Sequence, residues 1–195
     1  MPKRRIPVIN ILGISGSLRK GAFSTRLLEI AREYLPADVT MTIVGCGDIP
    51  HYNQDLDGES KPEPVQRFRA AIQQSDGLVF SGPEYNHSIP GVLKNAMDWA
   101  SRPKDRSPLA GKPTAIISSS ISFVGGTRMQ AHMHQVLIST LTPIYPAAEM
   151  LVGTANQKFD AAGRLTDADT QRRLRQYIEG FVQWILKVKR SGVAV

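Results

Sequence analysis

The chain is predicted to fold as an open α/β sheet of parallel strands with helices on both faces. Three observations predict this class. Short β-branched apolar runs are bounded by Gly, Ser or Pro; segments between them carry three- and four-residue apolar spacing; and the two kinds alternate five times along 195 residues. A parallel strand covered on both faces buries every side chain, so its run is continuous rather than alternating.

The first run is Val8 to Ile14. The preceding Lys3, Arg4 and Arg5 imitate a signal peptide. Pro7 and Asn10 interrupt the apolar stretch, however, and no A-x-A site follows, so a buried strand is expected instead of a leader. Leu27, Leu28, Ala31 and Leu35 then form a helical stripe, followed by a strand over Thr40 to Val44. The polar, Pro-containing excursion from Tyr52 to Pro64 has no periodicity and reads as a mobile rim. Next come a stripe of Val65, Phe68 and Ile72, a strand over Leu78 to Phe80, and a stripe of Val92, Ala96 and Met97. A strand over Thr114 to Ile117 precedes a stripe of Val136, Leu137 and Leu141, and a weaker strand falls near Glu149 to Val152. In the last helix Thr166 with Asp169 reads as a variant capping box, and Leu174, Tyr177, Ile178, Phe181, Val182 and Ile185 recur on one face.

Composition removes several classes. With 42% hydrophobic and 21% charged residues the chain is neither disordered nor fibrous. The lone cysteine, Cys46, excludes an intramolecular disulfide and a multi-cysteine metal centre, fits a reducing, cytoplasmic compartment, and is expected to pack as a small apolar residue. Six of the seven excess positive charges sit at Lys3, Arg4, Arg5, Lys187, Lys189 and Arg190, so the body is nearly neutral. Short basic tails at about 1–5 and 187–195 are expected on a single domain spanning 1–195. A nucleic-acid reader needs a basic face, and none is expected. No apolar run reaches the roughly 18 residues of a membrane span, so no membrane partner is expected either. His132 and His134 stand about 200° apart on a helix and cannot share a metal, so no metal site is expected.

In an open parallel sheet, ligands bind beyond the carboxyl ends of the strands where the strand order reverses, which directs attention to three loops. The first, Gly13 to Thr25, opens onto a helix. Its amides, with the hydroxyls of Ser17, Ser24 and Thr25 and the guanidinium of Arg19, would surround a phosphate with donors. The spacing is neither G-x-G-x-x-G nor a Walker loop, which favours a terminal monophosphate over a triphosphate. An ordinary Gly- and Ser-rich turn could use the same residues. The second loop, Ser81 to Gly91, is stiffened by two prolines, and its amides near Glu84 to Asn86 could line the edge of a flat heterocycle. A purely structural loop remains the alternative there too.

The string P-E-Y-N-H-S-I-P-G-V-L-K-N-A-M-D-W, Pro83 to Trp99, preceded by G-S-L-R-K-G, Gly16 to Gly21, resembles the NAD(P)H-dependent FMN reductases of flavodoxin-like fold, which include chromate, quinone and azo reductases. Looser similarity extends through Gly111 to Pro113 and Gly125 to Gln130. The resemblance implies a five-stranded sheet in the order 2-1-3-4-5, FMN as cofactor and NADPH or NADH as electron donor. It implies that Ser17, Leu18, Arg19, Ser24 and Thr25 hold the FMN phosphate. Pro83, Glu84, Tyr85 and Asn86 would flank the isoalloxazine through backbone groups, and Ser120 would complete the pocket.

Two positions depart from that pattern: Ala22 stands where a Ser is common, and Ser122 where a Gly is common. No catalytic side chain is expected, because flavin N5 carries the hydride in a ping-pong cycle. Arg102 is the expected cation for a nicotinamide phosphate or an anionic oxidant. The oxidants are small molecules: quinones, chromate, azo compounds, ferric complexes or free flavin. Apolar faces at Met97, Trp99, Met129, Met133 and Val136 suggest a homodimer or homotetramer, with core packing as the alternative, and Arg128 could pair with Glu149. The competing functions are a non-enzymatic flavodoxin-type FMN electron carrier, which would not consume NAD(P)H, and a basic interaction module using both tails.

Overall fold

A computed structural model of the chain describes residues 9–191. Five parallel strands, β1 (Ile9–Ser15), β2 (Val39–Gly45), β3 (Gly77–Pro83), β4 (Thr114–Ser119) and β5 (Met150–Val152), lie in the order β2-β1-β3-β4-β5. The order 2-1-3-4-5 is the expected one, and it places the reversal of strand order between β1 and β3. Val8 and the Lys3 to Arg5 cluster lie outside the described residues.

Adjacent strand residues point to opposite faces, so each strand feeds two cores. Ile9, Ile11, Met41, Val79, Ala115 and Ile117 meet α1 (Phe23–Glu33) and the last helix on one face. Leu12, Ile14, Leu78, Phe80 and Ile116 meet α2 (Glu63–Gln74), α3 (Gly91–Ala100) and α4 (Thr127–Ser139) on the other. A one-turn helix, α5 (Ala155–Lys158), and the long α6 (Ala168–Ser191) complete the chain. The short α5 has too few residues to show a helical period and escaped the sequence reading.

Several expectations are corrected by tertiary contacts. Met97, Trp99, Met129 and Met133 are fully packed core residues; the exposed apolar side chains near them are Ile138 and Leu141. The Tyr52 to Pro64 excursion is anchored to α3 at its start, where Tyr52 packs edge-on against Trp99 and its amide donates to Asn95 Oδ1 at 2.7 Å, and is tied within itself by the Lys61–Asp57 pair. The cap of α6 is Asp167, whose carboxylate accepts from the Thr170 amide at 2.9 Å; Asp169 pairs with Arg172, and Thr166 donates to the Lys158 carbonyl. Lys187, Lys189 and Arg190 stand on the last turns of α6 rather than in a tail, with Lys189 bound to Asp76 at 2.6 Å.

The outer edge of β4 is completed in three pieces. Thr114 exchanges backbone bonds with Pro143 and Tyr145, and Ile117 to Ser119 lie beside β5. Between them, where the chain at 146–149 leaves the sheet, the Tyr177 hydroxyl donates to the Ile116 carbonyl at 3.0 Å and accepts from its amide at 3.2 Å. A side chain from α6 thus stands in for a missing strand residue.

Candidate active site

The carboxyl ends of β1, β3 and β4 bring three loops together. The first leaves β1 at Ser15, whose hydroxyl bonds Thr25 Oγ1 at 2.8 Å across the turn. Gly16 sits against the neighbouring strand, its amide donating to Ser81 O at 2.8 Å, and a Cβ there would fall 2.9 Å from Leu93 and 3.4 Å from Gly82. Glycine allows that approach without moving the Leu93 side chain. Ser81 Oγ in turn donates to the carbonyl of Ser24 at 2.9 Å, seating the start of α1 on β3.

Ala22 is the N-cap of α1 and offers no side-chain acceptor to the first turn. Among the described residues, no protein group accepts from the amides of Phe23, Ser24 or Thr25. The single buried side-chain oxygen or nitrogen without a partner among those residues is Ser24 Oγ. Unpaired amides at a helix start, with the positive end of the helix dipole behind them, form an anion site. Beside them lies a cavity of about 390 Å³ lined by Ser15, Ser17, Arg19, Lys20, Thr25, Arg26 and Glu29, the last two paired with each other at 2.7 Å. The Arg19 guanidinium rests 5.5 Å from the Phe23 ring and donates to Gly21 O. Leu18 points outward, 59% exposed, and lies over Gly47.

The second loop leaves β3 at Pro83. That strand is longer than its apolar run, because Ser81, Gly82 and Pro83 continue to pair with β4. Tyr85 to Ser88 form a two-residue hairpin closed by backbone bonds in both directions, with Asn86 at φ 47° and His87 at φ 63°. These are the dihedral signs of a type I′ turn, which side-chain-bearing residues other than Asn and Asp rarely enter. Tyr85 and Asn86 are exposed, whereas the Glu84 carboxylate is turned to the start of α4. Arg128 pairs with Glu84 at 3.3 Å, and not with Glu149.

The third loop follows β4. Ser120 Oγ accepts from the Ser122 amide at 3.1 Å, and the Ser120 amide donates to Val152 O. Ser122 has no positive φ, so its backbone path needs no glycine. Gly125 and Gly126 do have one, at 67° and 92°, and a Cβ on Gly153 would lie 2.2 Å from the Phe123 carbonyl oxygen. These glycines let the loop and α4 settle on the ends of β4 and β5.

Ser17, Arg19 and Thr25 meet at one cavity, Ser24 is buried beside them, and Pro83, Glu84, Tyr85, Asn86 and Ser120 occupy the neighbouring loops. Arg102 does not join them. It follows α3, which starts at the ligand end and runs back for ten residues, about 15 Å, to the far end of the sheet. There it lines a groove with Lys94, Asp98 and Leu141. Cys46 is buried, its thiol pushed up to about 12 by burial and then by Asp48, which keeps it a packed thiol rather than a thiolate at neutral pH. Among the described residues no cluster of three or more His, Cys, Asp or Glu could hold a metal, and no helix is long and apolar enough to cross a membrane. Glu84 as a helix cap, the Ser15–Thr25 bond and Gly153 were missed from sequence, since each pairs residues with no local signal linking them.

An open parallel sheet in the order 2-1-3-4-5, with unpaired amides on its first loop next to the reversal of strand order, defines a flavodoxin-like fold. Comparison with known proteins narrows this. The NADPH-dependent FMN reductase family matches residues 9–157. An NAD(P)H-dependent FMN reductase of Pseudomonas aeruginosa is 38% identical over 181 residues, 93% of this chain and 97% of that protein. A quinone reductase of Escherichia coli K12 is 36% identical over 184 residues, 93% and 97% of the two chains. The solved structure of FerB, a flavoenzyme NAD(P)H:(acceptor) oxidoreductase from Paracoccus denitrificans, superposes with a TM-score of 0.84 at 33% identity, over 92% of this chain and 98% of that one.

The chain belongs to the NADPH-dependent FMN reductase family. It is an oxidoreductase that works with FMN and NAD(P)H.

Proposed function

We propose that the whole chain acts as one domain, an NAD(P)H:quinone oxidoreductase that binds FMN across the three loops. The observation that carries this reading is the start of α1, where three unpaired amides and the orphan Ser24 hydroxyl adjoin Arg19 and Lys20, Arg26 being paired with Glu29. That donor set suits a phosphate monoester dianion. Ser17, Arg19, Ser24 and Thr25, with the Leu18 backbone, hold the phosphate; the absent hydroxyl at Ala22 leaves amides that the phosphate itself satisfies. Pro83, Glu84, Tyr85 and Asn86 offer backbone groups to the ring, and Ser120 closes the pocket.

Bound FMN supplies the redox chemistry, taking hydride from NAD(P)H and returning electrons to an oxidant. The protein's part is to hold and orient it and to leave one face open; oriented amides favour the extra charge of the reduced ring. Quinones lead chromate, azo compounds, ferric complexes and free flavin as oxidants on two grounds. Relatives in Pseudomonas putida and Escherichia coli are named quinone reductases. The ligand-end loops also expose Leu18, Tyr85, Ile121 and Phe123, the last at 84%, which suits a planar apolar acceptor. The exposed Ile138 and Leu141 on and after α4 support a homodimer or homotetramer. A buried lone cysteine supports a cytoplasmic location.

Purified protein mixed with FMN is expected to be yellow, to bleach under NAD(P)H without air and to regain colour with a quinone. Arg19→Ala is expected to weaken FMN binding about tenfold, the worth of one charge-assisted hydrogen bond, while turnover at saturating FMN persists. Protein that stays colourless, or an unchanged FMN affinity in R19A, refutes the assignment.

A further inference from the structure

The side chain of Glu84 is only 8% exposed, although it sits on a loop at the open end of the sheet. Its carboxylate accepts from the amides of Arg128 at 2.9 Å and Met129 at 3.3 Å, and from the Arg128 guanidinium at 3.3 Å. Those amides belong to the first turn of α4. The residue before that turn, Gly126, has no side chain to cap it. The cap therefore arrives from a loop 44 residues earlier in sequence.

A second contact follows one turn along the same helix, where Ser88 Oγ bonds His132 Nδ1 at 2.9 Å. Between the two contacts stands the hairpin Tyr85 to Ser88, whose central residues keep left-handed backbones. The helix they lean on is itself fixed to the sheet, because a Cβ at Gly126 would lie 2.8 Å from Ser118. Hairpin, helix and sheet end are thus joined through one carboxylate and one hydroxyl. The same geometry turns the negative charge of Glu84 away from the site and neutralises it on amides and a guanidinium. A free carboxylate beside a ring that gains electrons would oppose its reduction.

We propose that Glu84 is a positioning residue of the flavin site: its carboxylate clasps the Tyr85–Asn86 backbone to the start of α4, and so fixes for the ring the Asn86 amide, which no group among the described residues accepts, the Tyr85 amide being held by Ser88 O. The role rests on the flavin reading above. Ser88 with His132 is the weaker half of the same clasp.

The test compares native, Glu84→Gln and Arg128→Met holoenzymes at saturating FMN, by stopped-flow bleaching under NAD(P)H without air and by the flavin absorption spectrum. Both amides reach one oxygen, Oε2, and the guanidinium the other, Oε1. Glutamine can set its carbonyl oxygen at Oε2 but without the charge, so the two amide bonds lose their charge assistance and its NH2 faces the guanidinium donor to donor, whereas R128M leaves the charged oxygen on both amides. E84Q is expected to bleach about tenfold more slowly with displaced flavin bands, as for one lost charge-assisted bond. R128M keeps both amide contacts and is expected to stay within about twofold of native, as for a half-exposed ion pair. An E84Q protein with a lower melting temperature but native bleaching rate and spectrum overturns the proposal, leaving Glu84 a helix cap alone. R128M matching E84Q also overturns it. Should E84Q not fold, Ser88→Ala decides: a two- to threefold slower bleaching supports the clasp, and a native rate overturns it. Native protein that takes up no FMN sinks the flavin reading and this role together, before any variant is compared.

Discussion

Replacing Tyr177 with Phe removes one oxygen and leaves the ring, so the perturbation isolates the hydroxyl that bridges the gap in β4. Tyr177 stays packed on Tyr145, at 5.3 Å between ring centroids, so no cavity of side-chain size opens. What is lost is both partners of Ile116, whose amide and carbonyl lie on a buried strand with the chain at 146–149 turned away. A buried polar group stripped of its partner costs about 1–3 kcal/mol, and two such groups on one residue put the loss at about 2–4 kcal/mol. For a chain of this length that lowers Tm by about 5–15 °C.

The assay is urea unfolding of Y177F and native protein at one fixed FMN concentration, since ligand alone shifts apparent stability. The midpoint should fall with an unchanged slope. A loss below about 0.5 kcal/mol would mean that water reaches Ile116 and that the hydroxyl bridges nothing. Alkali gives an independent check. Burial pushes the Tyr177 phenol up from 10.0 to about 12, so its contribution is intact below pH 10 and drains away as pH rises toward about 12. Y177F should lack that alkaline decline.

Asp76 provides the acid-side counterpart. Burial alone would raise its pKa, but Lys189, the Asn10 amide and Lys112 outweigh it and hold the carboxyl below the usual range. Its stabilisation is therefore present above about pH 4 and lost as pH falls through the lowered value. Asp76→Asn should cost about 1 kcal/mol at pH 7, and the gap to native protein should close in acid; a gap independent of pH in melting curves would contradict this. Gly153→Ala forces a Cβ against the Phe123 carbonyl oxygen, 2.2 Å away, where no side chain can swing aside. It should cost about 1–3 kcal/mol and weaken FMN binding through the displaced Ser120 to Gly126 loop, and a native melting curve with native FMN affinity would show that the loop yields freely.

The sequence by itself determined what depends on near neighbours and on periods. Strands buried on both faces must be continuously apolar, and helices with one buried face must repeat at three or four residues. Five such pairs therefore announced the parallel sheet, and the glycines and hydroxyls before α1 announced the anion cradle. The string from Pro83 to Trp99 announced the family by resemblance. Tertiary structure decided whatever joins residues distant in sequence. Glu84 caps a helix 44 residues away, Tyr177 completes a strand 61 residues earlier, and the apolar faces of Met97 and Met133 vanish into the core. It also moved Arg102 to the far end of α3, because a helix that begins at the ligand end must carry its last residue away from it. A chain's local pattern fixes which side of an element is apolar, but which group meets a given amide depends on how the elements pack, and packing is a property of the whole fold.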